Sequence, residues 1–323
     1  VLLTFGGRGY PLRAGESVLE GLARHGVGLP SACRAGVCHS CLLRAEAGDP
    51  GEAAREGLKP ALRASGYFLA CRARPAGDVT VTLAGNDVFT PATLLRSERL
   101  AADVLAVWLR PRRRVAFLAG QHVTLNRGGG VIRPYSIASL PAEADRDGME
   151  FHLRVYPQGA MSAWLAGARP GTELSIGVPA GQCFYLRGDP TVPLLLAGTG
   201  TGIAPLLAIA RDARAHGHTG PVVIVHGARD PGHLYLGEGS PAGHARLAGG
   251  SVIRWRTCAR SRGEDIVAAV VAEFSGLADP MAARAYLCGG TGSVTRMRRA
   301  LFMAGMPLRA IEADTFAPVV PPG

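Results

Sequence analysis

Four cysteines stand at a spacing that can do chemistry. Cys33, Cys38 and Cys41 form C-x4-C-x2-C, and Cys71 follows after a further 29 residues. Thiolates at this spacing suit a [2Fe–2S] cluster, in which four sulfurs hold two irons. The intervening residues fit that use. Ala35, Gly36 and Ser40 are small, so the loop can wrap closely around inorganic sulfide and aim backbone N–H groups at sulfur. A four-cysteine zinc site and buried structural thiols are the alternatives. Zinc sites usually offer two short C-x2-C knuckles, and one is present here. The chain has seven cysteines, an odd number that argues against a disulfide framework. Packing is the reading for Cys183 and Cys258.

A glycine-rich turn is placed for a second kind of chemistry. GTGTGIAP (Gly198–Pro205) lies between the apolar run VPLLLA and the helix-like IAPLLAIARDARA. Such a turn at a helix start suits a diphosphate, because the backbone approaches closely and the helix dipole favours negative charge. No charge intervenes between Pro190 and Arg211, so hydropathy alone would suggest a membrane span. Glycine and threonine at its centre, with Pro205 just after, fit a buried strand, a turn and a helix better.

Three regions must position these residues. Residues 1–84 hold the cysteine cluster and end in the strand-like DVTVTL. Residues 85–95, most of them in AGNDVFTPAT, read as a linker. From 96 to 189 the short runs VLAVWLR, QHVTL, MEFHLRVY and TELSIGV, with Gly and Pro turns, predict a small antiparallel barrel. From 190 to 323, strand-like VPLLLA, VVIVHG, VIRWRT, RAYLC and LRAIE alternate with helical IAPLLAIARDARA, EDIVAAVVAEF and SVTRMRRALFM. That alternation predicts a parallel sheet covered by helices. A chain of 323 residues, 47% hydrophobic, can give each region its own core.

The net charge of +10 does not indicate a nucleic-acid partner. Lys59 is the only lysine, and the 34 arginines are spread along the chain with no basic run interleaved with aromatics. The charge reflects either an arginine-rich composition or a basic face that steers an acidic protein partner. The start, VLLTFGGRGYPLRAGE, lacks a basic n-region and soon turns polar, so no signal peptide or membrane anchor is expected and the location is cytoplasmic.

SACRAGVCHSC resembles the cluster loop of plant-type ferredoxins. The resemblance implies a β-grasp domain with Cys33, Cys38, Cys41 and Cys71 as metal ligands. Such domains are often acidic, whereas residues 1–84 carry ten basic and seven acidic side chains. From about residue 96 the chain resembles the ferredoxin–NADP reductase superfamily. RPYSIAS matches its R-x-Y-S signature, which implies Arg133 on a flavin diphosphate, Tyr135 against the isoalloxazine and Ser136 near N5. PQGAMSAWLAG matches the second flavin segment through Gly159, Met161 and Ser162, and HLRVY brings the backbone of Leu153 and Arg154 alongside. PAGQCF resembles the turn that closes the barrel. A diphosphate site implies FAD rather than FMN.

GTGTGIAP matches the superfamily's nucleotide loop through Gly198, Thr199, Gly200, Thr201, Gly202 and Pro205. YLCGGTGSV resembles its C-G loop and implies Cys288 and Gly289 beside the nicotinamide, although Gly290 stands where the family often has proline. A buried strand-end thiol is the alternative for Cys288. Phe316 in EADTFAP matches an aromatic that approaches the flavin. Tyr135, Ser136 and Cys288 are the candidate catalytic residues.

The order of regions resembles the reductase components of bacterial oxygenases, such as those serving benzoate and related aromatic-ring dioxygenases. It implies a hydride passed from NAD(P)H to FAD, then single electrons passed through the cluster to a partner oxygenase. The same cofactors could serve a sugar-deoxygenating enzyme or a soluble monooxygenase. A non-catalytic sensor or carrier is a different class, disfavoured by intact RPYS, GTGTGIAP and Cys288. HGARDPGHLY (His226–Tyr235) resembles the G-A-R segment of NADH-using reductases, placing Arg229 and Asp230 near the adenosine ribose. Asp230 would repel a 2′-phosphate. Arg260 and Arg262 in CARSR argue the other way. The expectation is NADH, with NADPH as second choice.

Overall fold

In the computed structural model, which describes residues 1–85, 87–236 and 253–316, the chain builds three sheets in succession. The first contains β1 (Leu2–Phe5), β2 (Arg8–Pro11), β3 (Leu42–Ala47), β4 (Tyr67–Leu69) and β5 (Val79–Leu83), in the order β2-β1-β5-β3-β4. β1 and β5 are parallel and the other pairs antiparallel. Gly6 and Gly7 turn the first hairpin with φ of 58° and 76°, left-handed values that glycine adopts at little cost. Helix α1 (Val18–Arg24) buries Val18, Leu19 and Leu22 against Leu3, Leu43 and Val81. It begins with a capping box. Ser17 Oγ accepts from the Glu20 N–H, and the Glu20 carboxylate accepts from the Ser17 N–H. Helix α2 (Pro60–Ala64) leads into β4. This is a β-grasp arrangement.

The second sheet has six strands: β6 (Phe89–Ala101), β7 (Val104–Pro111), β8 (His122–Asn126), β9 (Ile132–Ser136), β10 (Met149–Arg154) and β11 (Glu173–Gly177). Their order is β10-β7-β6-β11-β8-β9, antiparallel throughout. A bridge between Ile137 and Phe151 joins the two edges and closes the barrel. Leu94, Val107, Val123 and Phe151 fill it, and helices α3 (Pro141–Asp147) and α4 (Ser162–Gly167) are attached. The expected linker is corrected here, because β6 begins at Phe89. Thr90, Ala92 and Leu94 are buried in alternation with more exposed neighbours, which is the period of a strand. Pro91 lacks a donor, yet its carbonyl accepts from the Arg112 N–H at 2.7 Å.

The third sheet is parallel: β12 (Leu194–Thr199), β13 (Val222–Ala228), β14 (Ile253–Ala259), β15 (Arg284–Gly290) and β16 (Ile311–Phe316), in the order β14-β13-β12-β15-β16. Leu194 and Leu196 pack with helix α5 (Ile203–Ala215). Leu195 and Ala197 pack with α6 (Ile266–Ser275) and α7 (Thr291–Met303). Burial on both faces explains why VPLLLA is continuously apolar. The stretch that mimics a membrane span is thus β12, a turn and α5, and among the described residues no helix is long and apolar enough to cross a membrane.

The expected strand LRAIE is also corrected. Leu308–Ala310 form a 3-10 turn, and the strand starts at Ile311, where pairing to Ala285 begins. Val252 of VIRWRT and the Pro-rich end Pro318–Gly323 lie outside the described residues. Strand order reverses between β12 and β15, and the crevice at such a reversal is where ligands bind in open α/β sheets.

Candidate redox site

The loop between α1 and β3 carries three of the four clustered cysteines. Arg34 (φ 52°) and His39 (φ 55°) adopt left-handed backbone although neither is glycine, at about 1–2 kcal/mol each. Gly36 (φ 82°) does so freely, and a Cβ there would meet Arg72 Cγ at 2.9 Å. These bends turn N–H groups inward. Ala35, Val37 and Cys38 donate to Cys33 Sγ at 3.4, 3.4 and 3.3 Å, and Cys33 N–H donates to Cys38 Sγ at 3.4 Å. The Cys38 thiol, helped by those backbone donors, holds the Cys33 thiol down to about 5. The same bond, with burial, pushes Cys38 up.

Cys41 and Cys71 form a second hydrogen-bonded pair, with Cys41 pushed up and Cys71 lowered. All four thiols are free of disulfides. Two pairs suit two irons that each take two thiolates, whereas one zinc would draw four sulfurs to a point. Among the described residues, no group of three or more His, Cys, Asp or Glu side chains is gathered for a single ion. The donors around Cys33 stabilise negative sulfur, so this loop fits a [2Fe–2S] cluster.

A cavity of about 1300 Å³ runs from this loop to the third sheet. Cys33, Val37 and Cys38 border one end of it. In the middle, β9 supplies Arg133, Tyr135 and Ser136, and β10 supplies Leu153 and Arg154. Arg133 donates to the Ile132 carbonyl at 2.8 Å and has no acidic partner among the described residues, which leaves its charge for an anion. Desolvation pushes the Tyr135 phenol well above its ordinary range, so it stays neutral. The Arg154 guanidinium, in the cavity wall, is committed to Asp103 at 2.7 Å.

Gly159, Met161 and Ser162 line the cavity where α4 begins. Ser162 Oγ accepts from the Tyr156 N–H at 3.1 Å, and a Cβ on Gly159 would stand 2.3 Å from that oxygen. Glycine is therefore required for the turn to close. An unpaired guanidinium and a tight glycine turn on one wall fit the diphosphate of FAD.

The nucleotide loops divide into lining residues and packing residues. Thr199, Gly200, Thr201 and Pro205 line the cavity. Gly198, Gly202 and Gly289 do not; Gly198 packs against Leu206 and Gly202, while Gly202 and Gly289 let two loops interlock. A Cβ on Gly202 would lie 2.5 Å from the Cys288 carbonyl oxygen. One on Gly289 would lie 2.1 Å from Thr199 Oγ1, which accepts from the Gly290 N–H at 3.3 Å. Cys288 is 1% exposed, does not line the cavity, and burial pushes its thiol well up. Phe316 lines the cavity and packs on the apolar cluster that contains Cys288.

Sequence reasoning missed His122 and Asp314. Asp314 pairs in register with Cys288, while His122 pairs with Ser136. His122, Ser136 and Asp314 meet in the cavity wall, with Cys288 buried behind Asp314. Asp314 Oδ2 lies 3.5 Å from Ser136 Oγ and 3.6 Å from His122 Nδ1, and neither ring nitrogen of His122 has a hydrogen-bond partner. Buried polar atoms left this way are poised for a ligand or a proton. A polar residue at a buried strand position, as in QHVTL, was the available signal. His152 lines the same wall, bonded to Glu150 at 2.8 Å and to the Tyr235 hydroxyl at 3.1 Å.

At the far end Arg229, Arg260 and Arg296 line the cavity with no acidic partner among the described residues. Asp230 is not in the wall; its carboxylate is turned to His233, 3.6 Å away.

A parallel nucleotide sheet, a closed barrel and a cysteine loop sharing one cavity define a flavin- and iron–sulfur-dependent NAD(P)H reductase. Residues 6–76 match the family described as 2Fe-2S iron-sulfur cluster binding domain, and residues 91–185 match the oxidoreductase FAD-binding domain. Over 319 residues, 95% of each chain, the protein is 30% identical to the ferredoxin–NAD(P)(+) reductase component of the naphthalene 1,2-dioxygenase system of Pseudomonas putida. It is 37% identical over 249 residues to the reductase subunit of an aromatic O-demethylase from an Amycolatopsis species, covering 72% of this chain and 73% of that one. The crystal structure of an Amycolatopsis cytochrome P450 reductase superposes with a TM-score of 0.65 at 30% identity, over 98% of this chain and 99% of the other. The chain belongs to the ferredoxin–NAD(P)(+) reductase components of oxygenase systems.

Proposed function

We propose that this reductase supplies single electrons to the terminal oxygenase of a system acting on an aromatic compound, and that it does so from the cytoplasm. Free thiols at all seven cysteines suit a reducing compartment. The observation that carries the reading is one cavity bordered by the Cys33–Cys38 loop, the RPYS strand and the nucleotide loop. FAD, when bound, takes two electrons as a hydride and gives them up singly to a one-electron acceptor. Residues 1–84 carry the cluster, 96–189 with the strand from Phe89 carry the flavin, and 190–323 carry the coenzyme.

The chain's own residues bind, orient and move a proton. Arg133 and the turn Gly159–Ser162 hold the flavin diphosphate, Tyr135 covers the ring, and the Leu153 and Arg154 backbone lines it. Thr199, Gly200 and Thr201 receive the coenzyme diphosphate, and Phe316 and Gly289 shape the nicotinamide's place beside buried Cys288. Oxidising one NADH to two single electrons releases one proton. Ser136 Oγ passes that proton to Asp314 Oδ2, with His122 Nδ1 next to it. NADH is the coenzyme, and NADPH is admitted, because Asp230 is turned to His233 while Arg260 and Arg296 line the cavity unpaired among the described residues.

Anaerobic NADH should bleach both the flavin and the cluster absorption of the holoprotein. The kcat/KM for NADH should exceed that for NADPH by no more than about tenfold, or ~1.4 kcal/mol. A reduced flavin beside a cluster that stays oxidised would contradict the electron path. A preference for NADPH would contradict the coenzyme assignment.

A further inference from the structure

His226 is a polar residue in an apolar row. Alternation along β13 sets Val222, Ile224 and His226 on the face that packs with α5, and the histidine is fully buried there. Both ring nitrogens point at backbone carbonyl oxygens. Nδ1 lies 2.8 Å from the Leu236 oxygen, and Nε2 lies 3.2 Å from the Gly200 oxygen. A carbonyl only accepts, so satisfying both takes two N–H donors, and a neutral imidazole has one. Burial holds the ring down to about 4, so at neutral pH it is uncharged and one of the oxygens faces a lone pair.

Gly200 opens the coenzyme loop. Its φ of 56° lies where glycine moves freely, so the peptide it shares with Thr201 needs a tether to keep one orientation. In a trans peptide the carbonyl and the N–H point to opposite sides. The Ile203 N–H already takes one lone pair of the Gly200 oxygen. Tying the other lone pair to His226 holds that oxygen in the core and sends the Thr201 N–H away from the ring. Thr201 lines the cavity.

The surroundings of the ring carry little charge. Among the described residues, Tyr235 meets it edge-on with centroids 5.8 Å apart. Behind Tyr235 stand His152 and Glu150 of β10, bonded to each other at 2.8 Å. The Cys288 thiol lies in the apolar cluster on this face and is held neutral by burial. β12 and β14 place Gly198 and Thr257 in register with His226, and Ile203–Ala210 of α5 bring no charge. A diphosphate on the loop adds negative charge across the Gly200 peptide. It favours the imidazolium, the one form that serves both carbonyls.

We propose that His226 is the positioning residue of the coenzyme loop: it takes one proton from solvent when the coenzyme diphosphate binds, bonds Gly200 and Leu236 at once, and returns the proton when the coenzyme leaves. The proposal rests on the reading of Thr199, Gly200 and Thr201 as the diphosphate loop.

The test uses the oxidised holoenzyme and NAD+, which binds there without transferring electrons. Binding is followed by the change in flavin absorption and by calorimetry. Because the bound form holds the extra proton, Kd should tighten as pH falls toward the free ring's value of about 4. The change should reach up to about tenfold per unit between about pH 8 and about pH 6. Calorimetry at about pH 6.5, in buffers of different ionisation enthalpy, should show uptake of more than about half a proton. His226→Gln, whose amide bonds but does not titrate, should bind NAD+ with no uptake and with a Kd that does not vary with pH. His226→Phe fills the space without a donor, and its KM for NADH should rise about tenfold while kcat changes less. Normal flavin and cluster absorption report that each variant is folded. Wild-type binding without proton uptake would overturn the proposal with no variant needed, and so would uptake that survives His226→Gln. Absence of NAD+ binding at every pH would overturn the reading of the loop, and the proposal with it.

Discussion

The two ends of the cavity are built on opposite principles. At one end the Cys33–Cys41 loop gathers three thiols within nine residues, bent by left-handed turns at Arg34, Gly36 and His39, with inward N–H groups on Cys33. At the other end the nucleotide loop is held by backbone pressed against backbone at Gly202 and Cys288, and between the ends Ser136 and Asp314 meet from positions 178 apart. The first end is chemistry written in side chains. The second is geometry written in their absence. A loop of the first kind fails when a ligand atom is removed, and one of the second kind fails when an atom is added.

Gly202→Ala should break the second end most severely. Its new Cβ would fall 2.5 Å from the Cys288 oxygen and 2.9 Å from the Gly289 nitrogen, contacts with backbone that cannot swing aside. Overpacking of this kind costs about 1–3 kcal/mol, and here it acts by parting the two coenzyme loops. The rate of flavin bleaching by NADH should fall about 10²-fold, the order that misplacing reacting groups by an ångström costs. Chemical reduction by dithionite should still bleach both flavin and cluster. A variant with normal NADH kinetics would show that the interlock is not needed.

Arg133→Ala should have a smaller effect, confined to the middle of the cavity. A charge-assisted contact is worth about 1.5–3 kcal/mol, so FAD should be released roughly 10- to 100-fold more readily on dialysis. Cluster absorption should be unchanged, because Arg133 lies on the barrel and not on the cysteine loop. Full flavin occupancy after dialysis would remove the assignment of Arg133 to the diphosphate.

The same contrast explains what could be read from the sequence. The four cysteines and GTGTGIAP were readable because each is a short string whose spacing carries its chemistry, and RPYS through its resemblance to a reductase signature. The helix Ile203–Ala215 coincides with IAPLLAIARDARA, since its apolar residues and flanking glycines are local signals. His122 and Asp314 were not readable, because only closure of the barrel against the last strand of the third sheet brings them together. The strand at Phe89–Leu95 was hidden by Pro91, which reads as a breaker although its carbonyl still joins the sheet. Gly198, Gly202 and Gly289 were expected as coenzyme-binding residues, and the structure adds that each is pressed against a neighbour that leaves no room for a Cβ. Composition gives the need for a small residue there, and only coordinates tell which neighbour demands it.

The electron path itself is tested most directly by Cys71→Ser, assayed with two acceptors. Serine is a poor substitute for thiolate at iron, so the cluster should be lost or destabilised, along with local order in a small domain that leans on it. The barrel and the nucleotide sheet have cores of their own and should stay folded. NADH oxidation by ferricyanide, drawn from the flavin, should stay within about twofold of wild type, while reduction of cytochrome c should fall about 10²-fold, as expected when a positioned redox partner is removed. Unchanged cytochrome c reduction in a protein lacking its cluster absorption would contradict a path that runs from nicotinamide through flavin to the iron–sulfur loop.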